Sequence, residues 1–202
     1  MLEFLKGNAS DRKLRLLAVS FARRAVHLCG SKRAAEALDV AEGVADGQLP
    51  RAKRGAALRW LKGTWSQPVS EALVASAHRA ALYSGGLAAN SLARQASAGS
   101  DPVAEQHYQR ERERECATQS MIIREIFGNP FHPVTISPSW LTSTVVALAE
   151  GIYQEKAFDR MPILADALQD SGCDNAEILD HCCGPGPHVR GCWVVDLLLG
   201  KG

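Results

Sequence analysis

Apolar residues in this chain recur at every third or fourth position, segment after segment, and nowhere do they alternate convincingly over the length of a strand. That period lets an α-helix turn one face to a core, whereas a half-buried strand needs a period of two. The clearest case follows Ser10, where Leu14, Leu17, Ala18, Phe21, Ala25 and Leu28 share a face. Ser10 is a good N-cap and Gly30 a good stop. The pattern predicts an all-α chain, an irregular bundle of about eight or nine helices.

The remaining helices are read from the same signals. Ser31 is placed to cap a second helix that runs to Gly47, and Pro50 sits at the start of a third, short and basic one, RAKRGAALRWLK. The stretch from Gln67 to Ala98 is rich in alanine and reads as two helices broken at Gly85-Gly86. Asp101-Pro102 opens a long helix ending near Phe127, whose middle, QRERERE, reads as a solvated face. Residues 128–138 form an extended connector, because Pro133 and Pro138 bias their predecessors away from helix. Beyond it, Ser137-Pro138, Asp159, Asp174 and Pro187 are each read as the start of a helix. The chain divides most naturally into a basic and alanine-rich part, 1–98, and a second helical part, 99–202.

Charge narrows the partners. Residues 1–62 carry 13 Lys/Arg against 6 Asp/Glu, while residues 63–202 carry 10 against 16. Such asymmetry suits either a nucleic-acid face or two parts that attract each other, and the second is favoured because aromatic residues are not interleaved with the charge. Arg51, Lys53, Arg54, Arg59 and Trp60 form the candidate surface for a nucleic acid or another partner. Trp60 and Trp65, so close together, read more simply as core anchors. No apolar run approaches the roughly 18 residues that span a bilayer, and the N-terminus lacks the order of a secretory signal. The expectation is a cytoplasmic protein without a membrane partner.

The chemistry-bearing residues crowd the C-terminus, in HCCGPGPHVRGC. Zinc takes four ligands from thiolate, imidazole and carboxylate groups. His188 and Cys192 are four apart, so one helical face can present both, and Cys182 can fold back onto them across the Gly-Pro-Gly-Pro corner. Cys173, or alternatively His181, completes a candidate set of Cys173, Cys182, His188 and Cys192. The competing reading is packing, with buried thiols filling a helical interior and histidines satisfying helix-end carbonyls. Packing is favoured, so the cofactor expectation is none, with zinc as the possible exception. Asp166 and Asp170 read as a solvated acidic face opposite Ile163, Leu164 and Leu168. Asp196, inside WVVDLLL, reads as a buried polar contact.

The phrases MLEFLKGNASDRKLRLLAV, REIFGNPFHPVTISPSWL and LADALQDSGCDNAEILDHCCGPGPHVRGCWVVDLLLGK resemble those of a highly paralogous bacterial protein family, whose members are labelled hypothetical or Smi1/Knr4-like. The likeness covers both ends of the chain and not its alanine-rich middle. It implies no particular reaction and no catalytic residue. The Smi1/Knr4-like label implies an α/β interaction module, whose strands this sequence does not offer. Relatives start a dozen or so residues earlier, so the chain is expected to be truncated at Met1. Cys183 stands where a basic residue is expected, against an essential role for that thiol.

Without a nucleotide loop or a recognisable triad, the functional expectation is a non-catalytic helical module that binds a macromolecule, most simply a protein. A nucleic-acid-binding domain and a zinc-stabilised or thiol-dependent enzyme are the alternatives.

Overall fold

Ten α-helices make up most of the chain in a computed structural model that describes residues 5, 7, 9–61, 67–74, 76–97 and 102–202, with the backbone alone at Pro102. Among the described residues there is no strand, and no helix is long and apolar enough to cross a membrane. Trp65 and the Gly99–Asp101 segment lie outside the described residues. The chain forms two compact units, Met1–Ser120 and Met121–Gly202. The sequence places the division at 98/99; the structure places it within a helix, because Glu115 and Gln119 bond to the first unit and Glu125 bonds within the second.

In the first unit, α1 (Asp11–Ala25) starts where Ser10 Oγ accepts a hydrogen bond from the Lys13 amide, 3.3 Å away. Its predicted apolar face is buried at Leu14, Leu17, Ala18, Phe21 and Ala25. A 3-10 turn, Val26–Cys29, takes the chain to Gly30. Next come α2 (Lys32–Ala45), α3 (Ala52–Trp60) and α4 (Gln67–Ala72), and then α5 (Ala77–Ala96), on which α1 chiefly packs.

The break predicted at Gly85-Gly86 does not occur, since α5 runs through both. Gly85 serves close packing instead. A Cβ there would lie 2.9 Å from the Phe21 ring and 2.9 Å from Gln119 Oε1. Short side chains recur along that face, with Ala77, Ala80, Ala81, Ala88, Ala89 and Ala93 all buried. Alanine contributes little area apiece, so this core gains from intimate backbone approach rather than from large side chains.

Much of the basic charge of α1 is neutralised inside this unit, as the attraction reading expected. Arg12 pairs with Asp46 at 2.9 Å, and Arg23 with Glu42 at 2.9 Å and Asp39 at 2.7 Å. Arg24 forms a two-pronged pair with Glu115, at 2.6 and 2.7 Å. Glu115 belongs to α6 (Pro102–Phe127) and is buried, so QRERERE is not wholly a solvated face.

The second unit holds the end of α6, the extended connector, and four further helices around one apolar core. These are α7 (Ser143–Glu155), α8 (Met161–Asp170), α9 (Ala176–Cys183) and α10 (Trp193–Leu198). Val145, Ile152, Tyr153, Met161, Leu164, Leu168, Ile178, Val195 and Leu198 fill the core.

Several predicted starts move. Ser137-Pro138 opens only a 3-10 turn, Pro138–Trp140, and α7 is capped by Thr142, whose hydroxyl accepts from the Val145 amide. Asp159 lies in a 3-10 turn before α8, and the cap of α9 is Asn175 rather than Asp174. Ile163 is 53% exposed rather than on the buried face of α8. The helix predicted from Pro187 does not form there, and residues 184–192 travel as a loop to α10.

Candidate metal centre

Four side chains of the second unit bring one potential ligand atom each to within 4.8 Å of all the others: Glu125, His181, His188 and Cys192. Each arrives from a different piece of local structure. Glu125 lies in the last turns of α6, beside the buried Ile122 and Ile126. His181 is on the last turn of α9, and His188 is in the loop that follows. Cys192 occupies the N-cap position of α10. The loop is tightly wound. Gly186 has φ +81°, and a Cβ there would stand 2.7 Å from the His188 amide nitrogen, so only glycine fits this corner.

The distances are those of a coordination shell closed slightly inward. His181 Nε2 is 3.2 Å from Cys192 Sγ and 3.2 Å from Glu125 Oε2. His188 Nδ1 is 3.2 Å from both carboxylate oxygens. Nitrogen, oxygen and sulfur ligands at zinc bond lengths, arranged tetrahedrally, stand about 3.3–3.6 Å apart. The charges also balance, since one thiolate and one carboxylate neutralise a divalent cation. Glu125 and Cys192 are buried and the two histidines nearly so.

Outer contacts orient the rings differently. His188 Nε2 donates to the Gly184 carbonyl at 3.3 Å, which in a neutral ring leaves the Nδ1 lone pair facing the cluster. His181 is held the other way, because Trp193 Nε1 donates to His181 Nδ1 at 3.0 Å. An indole N–H only donates, so a neutral His181 carries its proton on Nε2, pointing at Glu125 and Cys192. Ligation through Nε2 moves that proton to Nδ1 and costs the indole hydrogen bond.

The electrostatics describe the same cluster without a cation. Burial pushes the Glu125 carboxyl up, but hydrogen bonds and charge from His181 and His188 outweigh it, and the net displacement is downward. The hydrogen bond from Glu125 raises His188 against the opposing effect of burial. Burial and the Glu125 charge push the Cys192 thiol well up, opposed by the Val195 and Val194 amides at the start of α10. The buried Cys182 thiol is pushed up to about 12, chiefly by burial, which removes it as a nucleophile near neutral pH.

Of the four residues proposed from sequence, His188 and Cys192 are in the cluster. Cys173 and Cys182 instead line the apolar core, as the packing reading held for them. His181, the alternative to Cys173, takes part. His188 and Cys192 do not share a helical face; the loop brings them together. Glu125 was not anticipated, although an acid beside Ile122 and Ile126 on a helical face is the same signal that marked Asp196. Asp196 is buried as expected, and Asp166 and Asp170 are exposed. On the candidate partner surface, Arg51, Lys53 and Arg59 are exposed, Arg54 is half-buried, and Trp60 is 39% exposed rather than a core anchor.

Fold and site together define an all-helical protein whose C-terminal unit contains a group of side chains able to hold a metal ion. No protein family, curated protein or solved structure matches the chain.

Proposed function

We propose that this protein is a non-catalytic helical binding module whose C-terminal unit is fastened by a structural zinc ion on Glu125, His181, His188 and Cys192. The observation that carries the reading is the convergence of four donors of the types zinc prefers, from three separate segments, within 4.8 Å. A catalytic zinc keeps a coordination position open for water, whereas four protein donors in a nearly closed corner complete a tetrahedron. The ion would tie α6, α9 and the 184–192 loop together, the joining that a small core of short helices lacks. Burial of Cys173, Cys182 and Cys192 supports a structural use of the thiols.

Elemental analysis of untagged protein tests this. One equivalent of zinc is expected, with a lower melting temperature after chelation. Cobalt(II) in its place should give a thiolate charge-transfer band that Cys192→Ser removes. A metal content near zero, with no stabilisation by added zinc, would overturn it.

A further inference from the structure

The cations of α1 find carboxylates, but those of α3 do not. Arg51, Lys53, Arg54 and Arg59 lie within nine residues, and the chain has no acidic residue between Gly47 and Ser70. None of the four has an acidic partner among the described residues. Of α3 itself only Ala57 is buried, and a Cβ built on Gly55 meets nothing within 4 Å, so the outer side of this helix is open and flat. The same positive field reaches the neighbouring helix: besides burial, Arg54 and Arg51 lower the Arg15 guanidinium. At the end of the helix stands Trp60, a large ring 39% exposed, close in sequence to Arg59.

Unpaired cations held on a helix concentrate polyanions, because each phosphate they neutralise releases a condensed counterion. Charge alone does not separate a nucleic acid from an acidic protein or an anionic lipid surface. The exposed indole does. A planar ring among guanidinium groups suits unpaired bases, which stack on it whatever their sequence. A lipid surface would instead call for several apolar side chains on the same face, and this one offers Trp60 alone. We infer that α3 is a binding surface for single-stranded nucleic acid, with Arg51, Lys53, Arg54 and Arg59 on phosphates and Trp60 stacked on a base. This rests on the binding-module reading but not on the metal.

The test is fluorescence anisotropy of the full chain with a fluorescein-labelled twenty-nucleotide oligothymidylate over a salt series. Four phosphate contacts predict a slope of log affinity against log salt of about −3. Replacing Arg51, Lys53, Arg54 and Arg59 together by Gln should lower affinity at low salt by about 100-fold and flatten the slope. Trp60→Ala should cost about tenfold, and Trp60→Phe should restore most of it. Arg110→Gln, an exposed cation on α6, serves as the control and should leave affinity unchanged. No binding at low salt overturns the inference, and so does binding that the fourfold variant leaves intact. Equally tight binding to phosphatidylserine vesicles, with no effect of Trp60→Ala, overturns it in favour of a general anionic surface. Zinc content is measured on the same samples. Zinc retained without nucleic-acid binding sinks this inference alone, and binding without zinc sinks only the metal assignment.

Discussion

Glu125→Gln separates the metal-free cluster from the metal-bound one, since glutamine keeps the shape of the side chain and removes its charge. In the metal-free protein Glu125 faces His188 Nδ1 at 3.2 Å from each oxygen and His181 Nε2 at 3.2 Å, and accepts from the Val189 amide at 3.4 Å. Removing one partner from a buried ion pair costs about 3–5 kcal/mol. Release of the His188 proton limits that loss, so the expected cost near pH 6 is about 2–3 kcal/mol.

The pH dependence has a definite sign. The Glu125 carboxyl is lowered, so its contribution is present above its ordinary value near 4.5 and is lost as pH falls through the folded value. His188 is raised, so its contribution is complete below about 6.5 and fades as pH rises through the folded value. The pair therefore stabilises most in mild acid, and in chelator the cost of Glu125→Gln should shrink between pH 6 and pH 8.5. With zinc the trend reverses, because the ion needs a thiolate and unprotonated imidazoles and binds more tightly as pH rises. Urea denaturation of both proteins at the two pH values, with chelator and with zinc, reads all four quantities. A cost in chelator that does not change with pH would refute the charged-pair argument.

Other substitutions probe the surroundings. Trp193→Phe removes the hydrogen bond that keeps the His181 proton on Nε2, worth about 1 kcal/mol, so zinc affinity measured by calorimetry should rise about fivefold; a fall would show that Nδ1 does not accept from the indole. Gly85→Ala should destabilise by about 1–2 kcal/mol, because its Cβ would meet Phe21 and Gln119 at 2.9 Å. Gly86→Ala, exposed and with nothing within 4 Å, should stabilise by about 0.5–1 kcal/mol. Thermal melts of the two variants should therefore move in opposite directions. In the native protein the exposed Cys116 and Cys183 should react with a thiol reagent first, and Cys173, Cys182 and Cys192 only on unfolding. Rapid labelling of Cys182 would contradict its burial and its raised thiol.

The centre was half legible. Thiols and imidazoles concentrated near the C-terminus drew attention to His188 and Cys192, with His181 as an alternative. Two local assumptions misplaced the rest. Continuing the helical period through Pro187 put His188 and Cys192 on one face, whereas glycines at 184, 186 and 191 let residues 184–192 run as a loop. Nearness in sequence favoured Cys173 and Cys182, whereas the amphipathic period of α8 and α9 turns that region into the core around Ile178 and Leu168. Gly85 misled for a related reason: glycine is read as a helix breaker, but here its missing side chain admits Phe21.

The all-helical class, most helix ends and the buried face of α1 follow from the chain itself, because helical period and capping act over a few residues. The meeting of Glu125 with His188, 63 residues away, was decided only by tertiary packing, as was the pairing of Arg24 with Glu115 across 91. Such contacts depend on the path of loops and on which helix faces are buried, and no local pattern encodes either.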